Sequence, residues 1–297
     1  MGKPVIGFIG LGLMGSAMVA RLQGLGYRLN VIAHRHRANV DEAIGRGARE
    51  FFTARELARA SDIIMLCVDS SASVEAMVYG EDGVLAGVRP GTLAIDFGTS
   101  LPGSTRKIGA DMAARQARYM DAPLGRTPAH AVDGLLNIMA AGEREDFEAA
   151  RPVLQDLGEN VFHVGPLGAG HTLKLINNFF ALTTACAMSE AFAMADLAGL
   201  PRQKLYDVMA SGPNRSGMMD FIKAYAIDGD PQALAFSVAN ASKDVGYYVA
   251  MADDFGAPSQ ISPAVRSTLE KAAASGWSNR MVPELVSFFE QLFAEES

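Results

Sequence analysis

Over the first 165 residues the apolar positions come in short unbroken runs, separated by stretches with the three-to-four spacing of amphipathic helices. Strands are expected at 5–9, 29–33, 63–68, 92–95, 119–122, 136–140 and 161–164. Helical periodicity fills 14–25, stopping at Gly26, then a segment ending at Gly47, and 146–157, while Pro102 suits the first turn of another helix. Strands apolar along their whole length are covered on both faces, so the alternation predicts an α/β fold with a doubly wound, mostly parallel sheet.

Beyond Gly165 the pattern changes. The stretch 168–200 contains no proline, and its only glycine after Gly170 is Gly199, so it reads as one long helix. No charged side chain lies between Lys174 and Glu190, the pattern of a helix covered by neighbours on most sides. Further helical stretches follow at 202–209, 218–227, 237–255, 263–274 and 283–293, with no strand signal. The expected organisation is therefore a dinucleotide-binding Rossmann domain at 1–165 and an all-α domain at 166–297, joined by the long helix.

Composition narrows the function classes. A chain of 297 residues suffices for two cores, and its net charge of -7 supplies no basic face for nucleic acid. Cys67 and Cys186 sit in apolar surroundings, outside any metal-ligand or disulfide pattern, which fits a reducing compartment. The N-terminus enters a strand directly, and the long helix is rich in Ala, Thr and Ser and carries Glu190 and Asp196, so neither a targeting segment nor a membrane span is expected. A cytoplasmic location follows as the expectation.

The first chemical signal is Gly10-Leu11-Gly12-Leu13-Met14-Gly15, placed after a strand and opening a helix. In that setting the glycines divide the work between a tight turn, close approach of backbone to a pyrophosphate, and close packing of helix on strand. The second strand ends in Ala33-His34-Arg35-His36-Arg37, with no carboxylate for the adenosine ribose hydroxyls and two arginines for a 2′-phosphate. NADP is accordingly favoured, with NAD as the alternative; a solvated basic loop would give the same sequence. On the long helix Lys174 and Asn178 stand one turn apart on one face, which places an ammonium and an amide together on an otherwise apolar surface. The plainer reading is a lysine near a helix end that reaches for water.

With these residues in view, the chain resembles the β-hydroxyacid dehydrogenase family, which includes 3-hydroxyisobutyrate dehydrogenase and tartronate semialdehyde reductase. The resemblance runs over nearly the whole length. It is carried by Gly10 to Gly15, Asp96-Phe97-Gly98-Thr99-Ser100-Leu101-Pro102, Asp121-Ala122-Pro123, Gly168 to Asn178, and Phe236 followed by Lys243-Asp244. It implies that Lys174 is the general acid and base, that Asn178 helps hold the substrate, that Thr99 lies by the nicotinamide ribose, and that Lys243 closes over the cofactor. Val68, at the end of its strand, is counted with the cofactor residues, as are His34 and Arg35.

Two departures from the family pattern bear on the substrate. Where many members carry Ser-Gly-Gly to cradle a carboxylate, this chain has Gly125-Arg126-Thr127 after Pro123. That triplet, with Asn177 beside Asn178, is similar to the sulfolactaldehyde reductase branch, in which the arginine and the first asparagine hold a sulfonate. Ala181 replaces a serine of that branch, and Gly98 stands where a serine is common. The resemblance implies hydride transfer between NADP(H) and a small anionic aldehyde or hydroxyacid, with Arg126 as the anion clamp and no metal. An ion pair of Arg126 with a carboxylate such as Asp133 is the plainer alternative. His130, His163 and His171 are the other acid-base candidates, His171 reading better as a capping or surface residue. An imine reductase or an idle dinucleotide-binding protein fits less well, because Lys174, Asn178 and Lys243 are all present. Phe288, Phe289, Leu292 and Phe293 suggest a face for a partner subunit in a homodimer or homotetramer.

Overall fold

The computed structural model describes residues 2–33 and 37–295, and the chain divides into two compact units, 1–174 and 175–297. In the first, β1 (Val5–Ile9) leads into α1 (Leu13–Gly24) and β2 (Arg28–Ile32) into α2 (Ala38–Gly45). Next come β3 (Arg49–Phe51), α3 (Ala54–Arg59), β4 (Ile63–Leu66), α4 (Ser71–Tyr79), the one-turn α5 (Val84–Gly87), β5 (Leu93–Asp96) and α6 (Pro102–Ala113). The series ends with β6 (Arg118–Asp121), β7 (Leu124–Gly125), α7 (Pro128–Asp133), β8 (Leu136–Ala141), α8 (Arg144–Leu157) and β9 (Gly158–Gly165). Helix α9 (Ala169–Leu197) then begins, and the division between units falls within it.

These strands form one sheet in the order β3-β2-β1-β4-β5-β6-β8-β7, with β9 paired to β8. From β3 to β6 every pairing is parallel. The chain winds outward from β1 to β3 and returns to β4, which leaves a topological switch point between β1 and β4, where ligands bind in open α/β sheets. Because successive side chains point to opposite faces, Ile6 and Phe8 enter one core with Met18 and Leu22, while Ile9, Ile64 and Leu66 enter another with Leu57 and Val78. Both faces are thus covered, as the unbroken apolar runs require.

The sheet differs from expectation at its edges. β3 had no strand signal, because Arg49-Glu50-Phe51 is a three-residue edge strand that is exposed or half-buried throughout. β8 runs antiparallel to both β6 and β7, reversing direction before β9 joins it in parallel.

The second unit is helical, with α10 (Arg202–Ala210), α11 (Gly217–Ala226), α12 (Val238–Asp254), α13 (Ser262–Ala272) and α14 (Leu285–Glu295) following α9. Ser216 and Ser237 start α11 and α12 as N-caps, their hydroxyls accepting from the Met219 and Asn240 amides. The core joins Leu182 and Phe192 of α9 to Ile222, Val245, Leu269 and Phe288. Two expectations are refined here. Phe288 and Phe289 are buried in this core, and the half-buried Leu292 and Phe293 pack against it, so the chain's own core accounts for this apolar cluster. Helix α9, in contrast, is covered around most of its circumference but leaves one stripe open: Leu173, Ile176, Phe180 and Met194 are exposed, Phe180 by 72%. Charge depletion marks an apolar helix without saying which of its faces the same chain will cover.

Candidate active site

Within the first unit the candidate residues gather at the carboxyl ends of neighbouring strands. β1 delivers the glycine turn, whose first residue Gly10 adopts φ +97°. A Cβ built there would lie 2.3 Å from the Cys67 carbonyl oxygen, just past β4, so the position requires glycine for conformation and for space. At Gly15 a Cβ would stand 1.9 Å from the Gly10 carbonyl oxygen, which makes this the glycine that lets helix pack on turn. Gly12 differs from both. It is the N-cap of α1, and a Cβ on it would have nothing within 4 Å. An open backbone approach at a helix N-terminus suits a dinucleotide pyrophosphate, so the residues present fit such a cofactor. Leu13 is exposed and Met14 half-buried at the same helix start, and Asn39 fixes the turn by donating its amide to the Leu11 carbonyl at 2.7 Å.

Val68 lies between two turns, its Cγ1 being 2.9 Å from a Cβ built on Gly10 and its carbonyl oxygen 3.2 Å from one built on Gly98. The turn after β5 is organised by the buried Asp96 carboxylate, which accepts from the Gly98 amide and from the Ser100 hydroxyl, both at 2.8 Å. Half-buried Thr99 lies between those two anchors. Asp121 is the parallel register partner of Asp96 on β6, and its carboxylate accepts from the Gly168 and His171 amides, each at 2.7 Å. That carboxylate therefore anchors the first turn of α9, the turn that leads to Lys174. Burial raises the Asp121 carboxyl above its ordinary range, opposed by His171 and by the backbone N–H groups of Gly168 and His171. The Lys174 ammonium donates to the Leu124 carbonyl at 2.7 Å, next to the Pro123–Thr127 loop. Pro123 is buried, and a Cβ on Gly125 would meet Asn137 at 3.3 Å.

Arg126 holds an unusual backbone, φ +76°, and its guanidinium donates to the Leu135 carbonyl at 2.7 Å and to the Glu159 carboxylate at 2.5 Å. The carboxylate partner is Glu159, and not Asp133 as the sequence alternative had it. Thr127 occupies the N-cap position of α7 without a side-chain capping bond and shares a 2.7 Å hydrogen bond with His130 Nδ1, while His163 engages the Gly142 carbonyl. His171 is neither a surface residue nor a side-chain cap, being fully buried. His34 and Arg35 lie outside the described residues. Arg37 is held by Glu50 in a bidentate pair at 2.8 and 2.9 Å, and by Asp41 at 3.0 Å.

In the second unit Asn178 is buried and donates its amide to Asp244 at 2.7 Å. A carboxylate only accepts, so the amide nitrogen faces Asp244 and the Asn178 oxygen is turned elsewhere, within 3.4 Å of the Asn177 amide. Asp244 is 2% exposed, and the Lys243 ammonium lies 3.2 Å from its other oxygen. Burial pushes the thiols of Cys67 and Cys186 up to about 12, so both stay protonated at neutral pH. Among the described residues no His, Cys, Asp and Glu cluster is placed to hold a metal, and no helix is long and apolar enough to cross a membrane.

Asp96, Asp121 and Asp244 fall inside the sequence motifs but have no task there, and Glu159 lies outside every motif. Asp96 and Asp121 carried one usable signal, a charge closing an otherwise apolar strand; Glu159 carried none.

Residues 5–165 match the family model described as the NAD binding domain of 6-phosphogluconate dehydrogenase. Residues 168–288 match the model described as NAD-binding of NADP-dependent 3-hydroxyisobutyrate dehydrogenase. The NAD-dependent L-serine dehydrogenase of Pseudomonas aeruginosa is 37% identical over 211 residues, 70% of each chain. The 3-sulfolactaldehyde reductase of Escherichia coli is 31% identical over 274 residues, 91% of each chain. Among solved structures, Mycobacterium tuberculosis 3-hydroxyisobutyrate dehydrogenase with L-serine superposes with a TM-score of 0.87 at 25% identity, over 97% of this chain and 99% of that one.

Proposed function

The chain belongs to the β-hydroxyacid dehydrogenase family, and from that premise we propose that it interconverts a small anionic β-hydroxyacid and its aldehyde acid, with NADP(H) as the preferred cofactor. The observation that carries this reading is Lys174, set on the first turns of α9 with its ammonium held 2.7 Å from the Leu124 carbonyl beside the Pro123–Thr127 loop. The bound dinucleotide supplies or accepts the hydride. In the reducing direction negative charge grows on the substrate oxygen, and Lys174 stabilises that charge and delivers the proton to it; in the oxidising direction the same nitrogen takes the hydroxyl proton. Gly10, Gly12 and Gly15, with Leu13 and Met14, bind the pyrophosphate end. Thr99 and Val68 line the nicotinamide end, and Lys243 contributes to cofactor binding.

Substrate orientation is assigned to Asn178 and Asn177, together with Pro123, Gly125, Arg126 and Thr127. Asp244 takes one N–H of Asn178 and the Asn177 amide approaches its carbonyl at 3.4 Å, so one lone pair of that carbonyl remains to accept from a substrate hydroxyl. Arg126 can hold a carboxylate or sulfonate with its planar fork of donors, but it must first exchange Glu159 for the substrate anion. A sulfonate substrate is the second reading, favoured by Gly125-Arg126-Thr127 and by the sulfolactaldehyde reductase relative. The preference for NADP rests on Arg35, because Arg37 is already paired with Glu50. A homodimer or homotetramer would cover the exposed Ile176 and Phe180 of α9.

The test combines Lys174→Ala with a panel of 3-hydroxyisobutyrate, L-serine and sulfolactaldehyde. Turnover is expected to fall by about 100-fold or more while dinucleotide binding persists. A variant that keeps more than about a tenth of wild-type turnover excludes this role for Lys174.

A further inference from the structure

His171 is the one histidine of the first turn of α9, and its imidazole is fully buried. Nδ1 lies 2.8 Å from the Thr105 hydroxyl on α6, which itself reaches the Leu101 carbonyl at 3.1 Å. Nε2 has no hydrogen-bond partner, and it faces the Asp96 carboxylate at 3.7 Å. On the other side of the ring Asp121 Oδ2 stands 3.8 Å from Nδ1. Asp96 and Asp121 end adjacent parallel strands in register, so the ring sits between two fully buried carboxylates.

The chemistry of these neighbours decides where the ring proton is. If Nε2 carried a lone pair, a buried acceptor would face a buried carboxylate oxygen with no donor between them, and Nε2 would be left unsatisfied while Asp96 keeps its Gly98 and Ser100 donors. A proton on Nε2 turns the same approach into an attraction: in the neutral ring it requires the Thr105 hydroxyl to donate to Nδ1 instead of to the Leu101 carbonyl, and with Thr105 donating to Leu101 both ring nitrogens carry protons between the two carboxylates. The two carboxylates already have separate tasks: Asp96 holds the turn on either side of Thr99, and Asp121 holds the first turn of the helix that bears Lys174. A closure of less than about 1 Å brings Nε2 to hydrogen-bonding distance of Asp96.

We propose that His171 is a positioning residue that donates its Nε2–H to Asp96 and so locks the Thr99 turn to the start of α9, setting the place of Lys174 against the nicotinamide ribose turn. The inference rests on the functional reading of Lys174 and Thr99 given above. Misplacement of a reacting group by about 1 Å is enough to lower turnover roughly a hundredfold, so a link of this kind belongs to the reaction although it touches no substrate.

Two substitutions separate the two sides of the ring. The amide of His171→Asn falls near Nδ1 and keeps the Thr105 bond, whereas that of His171→Gln falls near Nε2 and keeps the Asp96 approach. His171→Asn is expected to lose roughly tenfold or more in kcat and His171→Gln to stay within about threefold of wild type, at similar melting temperatures. Nitrogen-15 NMR of the unmodified protein, with the ring assigned through its contact to Thr105, should find Nε2 protonated at neutral pH. That measurement needs no variant and stands if one of them does not fold. A bare Nε2, equal kcat in the two variants, or losses that follow melting temperature alone would each overturn the proposal. Failure of the functional reading is distinguishable: it is an active Lys174→Ala, whatever the state of His171.

Discussion

At Gly15 a methyl group would stand 1.9 Å from the Gly10 carbonyl oxygen and 3.0 Å from the Phe8 ring. Gly10 cannot give way, since its own φ is +97° and the Cys67 carbonyl lies directly behind it. Overpacking of this kind costs about 1–3 kcal/mol, and with both neighbours rigid the upper end applies to Gly15→Ala. In a unit of this size about 3 kcal/mol corresponds to a melting shift of roughly 6–12 °C. Gly12→Ala meets nothing within 4 Å and loses only part of its value as an N-cap. Less than about 1 kcal/mol of stability is expected to go. The methyl would, however, stand where the pyrophosphate approaches the backbone, and losing one charge-assisted N–H contact costs about 1.5–3 kcal/mol, or roughly ten- to a hundredfold in Kd. Thermal unfolding without ligand and a fluorescence titration with NADPH measure the two effects separately. The reasoning is refuted if Gly12→Ala melts as low as Gly15→Ala, or if it binds NADPH within about threefold of wild type.

Three further outcomes follow from the same geometry. Arg126→Lys should raise KM for an anionic aldehyde by roughly ten- to a hundredfold and leave a neutral aldehyde of similar size little changed, because charge remains and the fork is lost; a parallel loss on both substrates counts against the clamp. Arg35→Ala should weaken the preference for NADPH over NADH in paired kcat/KM measurements, and an unmodified protein that uses NADH equally well removes the basis for that preference. Asp121 has a carboxyl raised by burial, so its contribution to stability is present below the ordinary carboxylate range and is lost as pH rises through the raised folded value. Wild type should therefore gain stability relative to Asp121→Asn as pH is lowered from 7 towards 4, and denaturant curves in which wild type loses stability relative to the variant over that range would contradict the burial assignment.

Much of the fold could be read in one dimension because a strand buried on both faces leaves an unbroken apolar run, as at Ile63–Leu66 and Leu93–Asp96. β3 escaped because Arg49-Glu50-Phe51 pairs along one edge and needs no such run. The glycine turn was legible for a related reason: its constraints are local, lying within one strand, one turn and one helix. What the sequence could not show is everything that depends on a partner distant along the chain. Arg126 meets Glu159 across 33 positions, and His171 meets Asp121 across 50. The same limit explains the exchange between Phe180 and Phe289. Both stand on helices with apolar residues on more than one side, and only the packing of the second unit decides that Phe289 turns inward while Phe180 is left 72% exposed. The buried aspartates lie between these cases. Asp96 and Asp121 could be located from sequence, since a carboxylate that ends an apolar strand must find donors nearby. The donors Asp96 found are two and four residues away, Gly98 and Ser100, and were within reach of sequence reasoning. Those of Asp121 belong to the start of α9, so the link from the sheet to the helix bearing Lys174 required the folded chain.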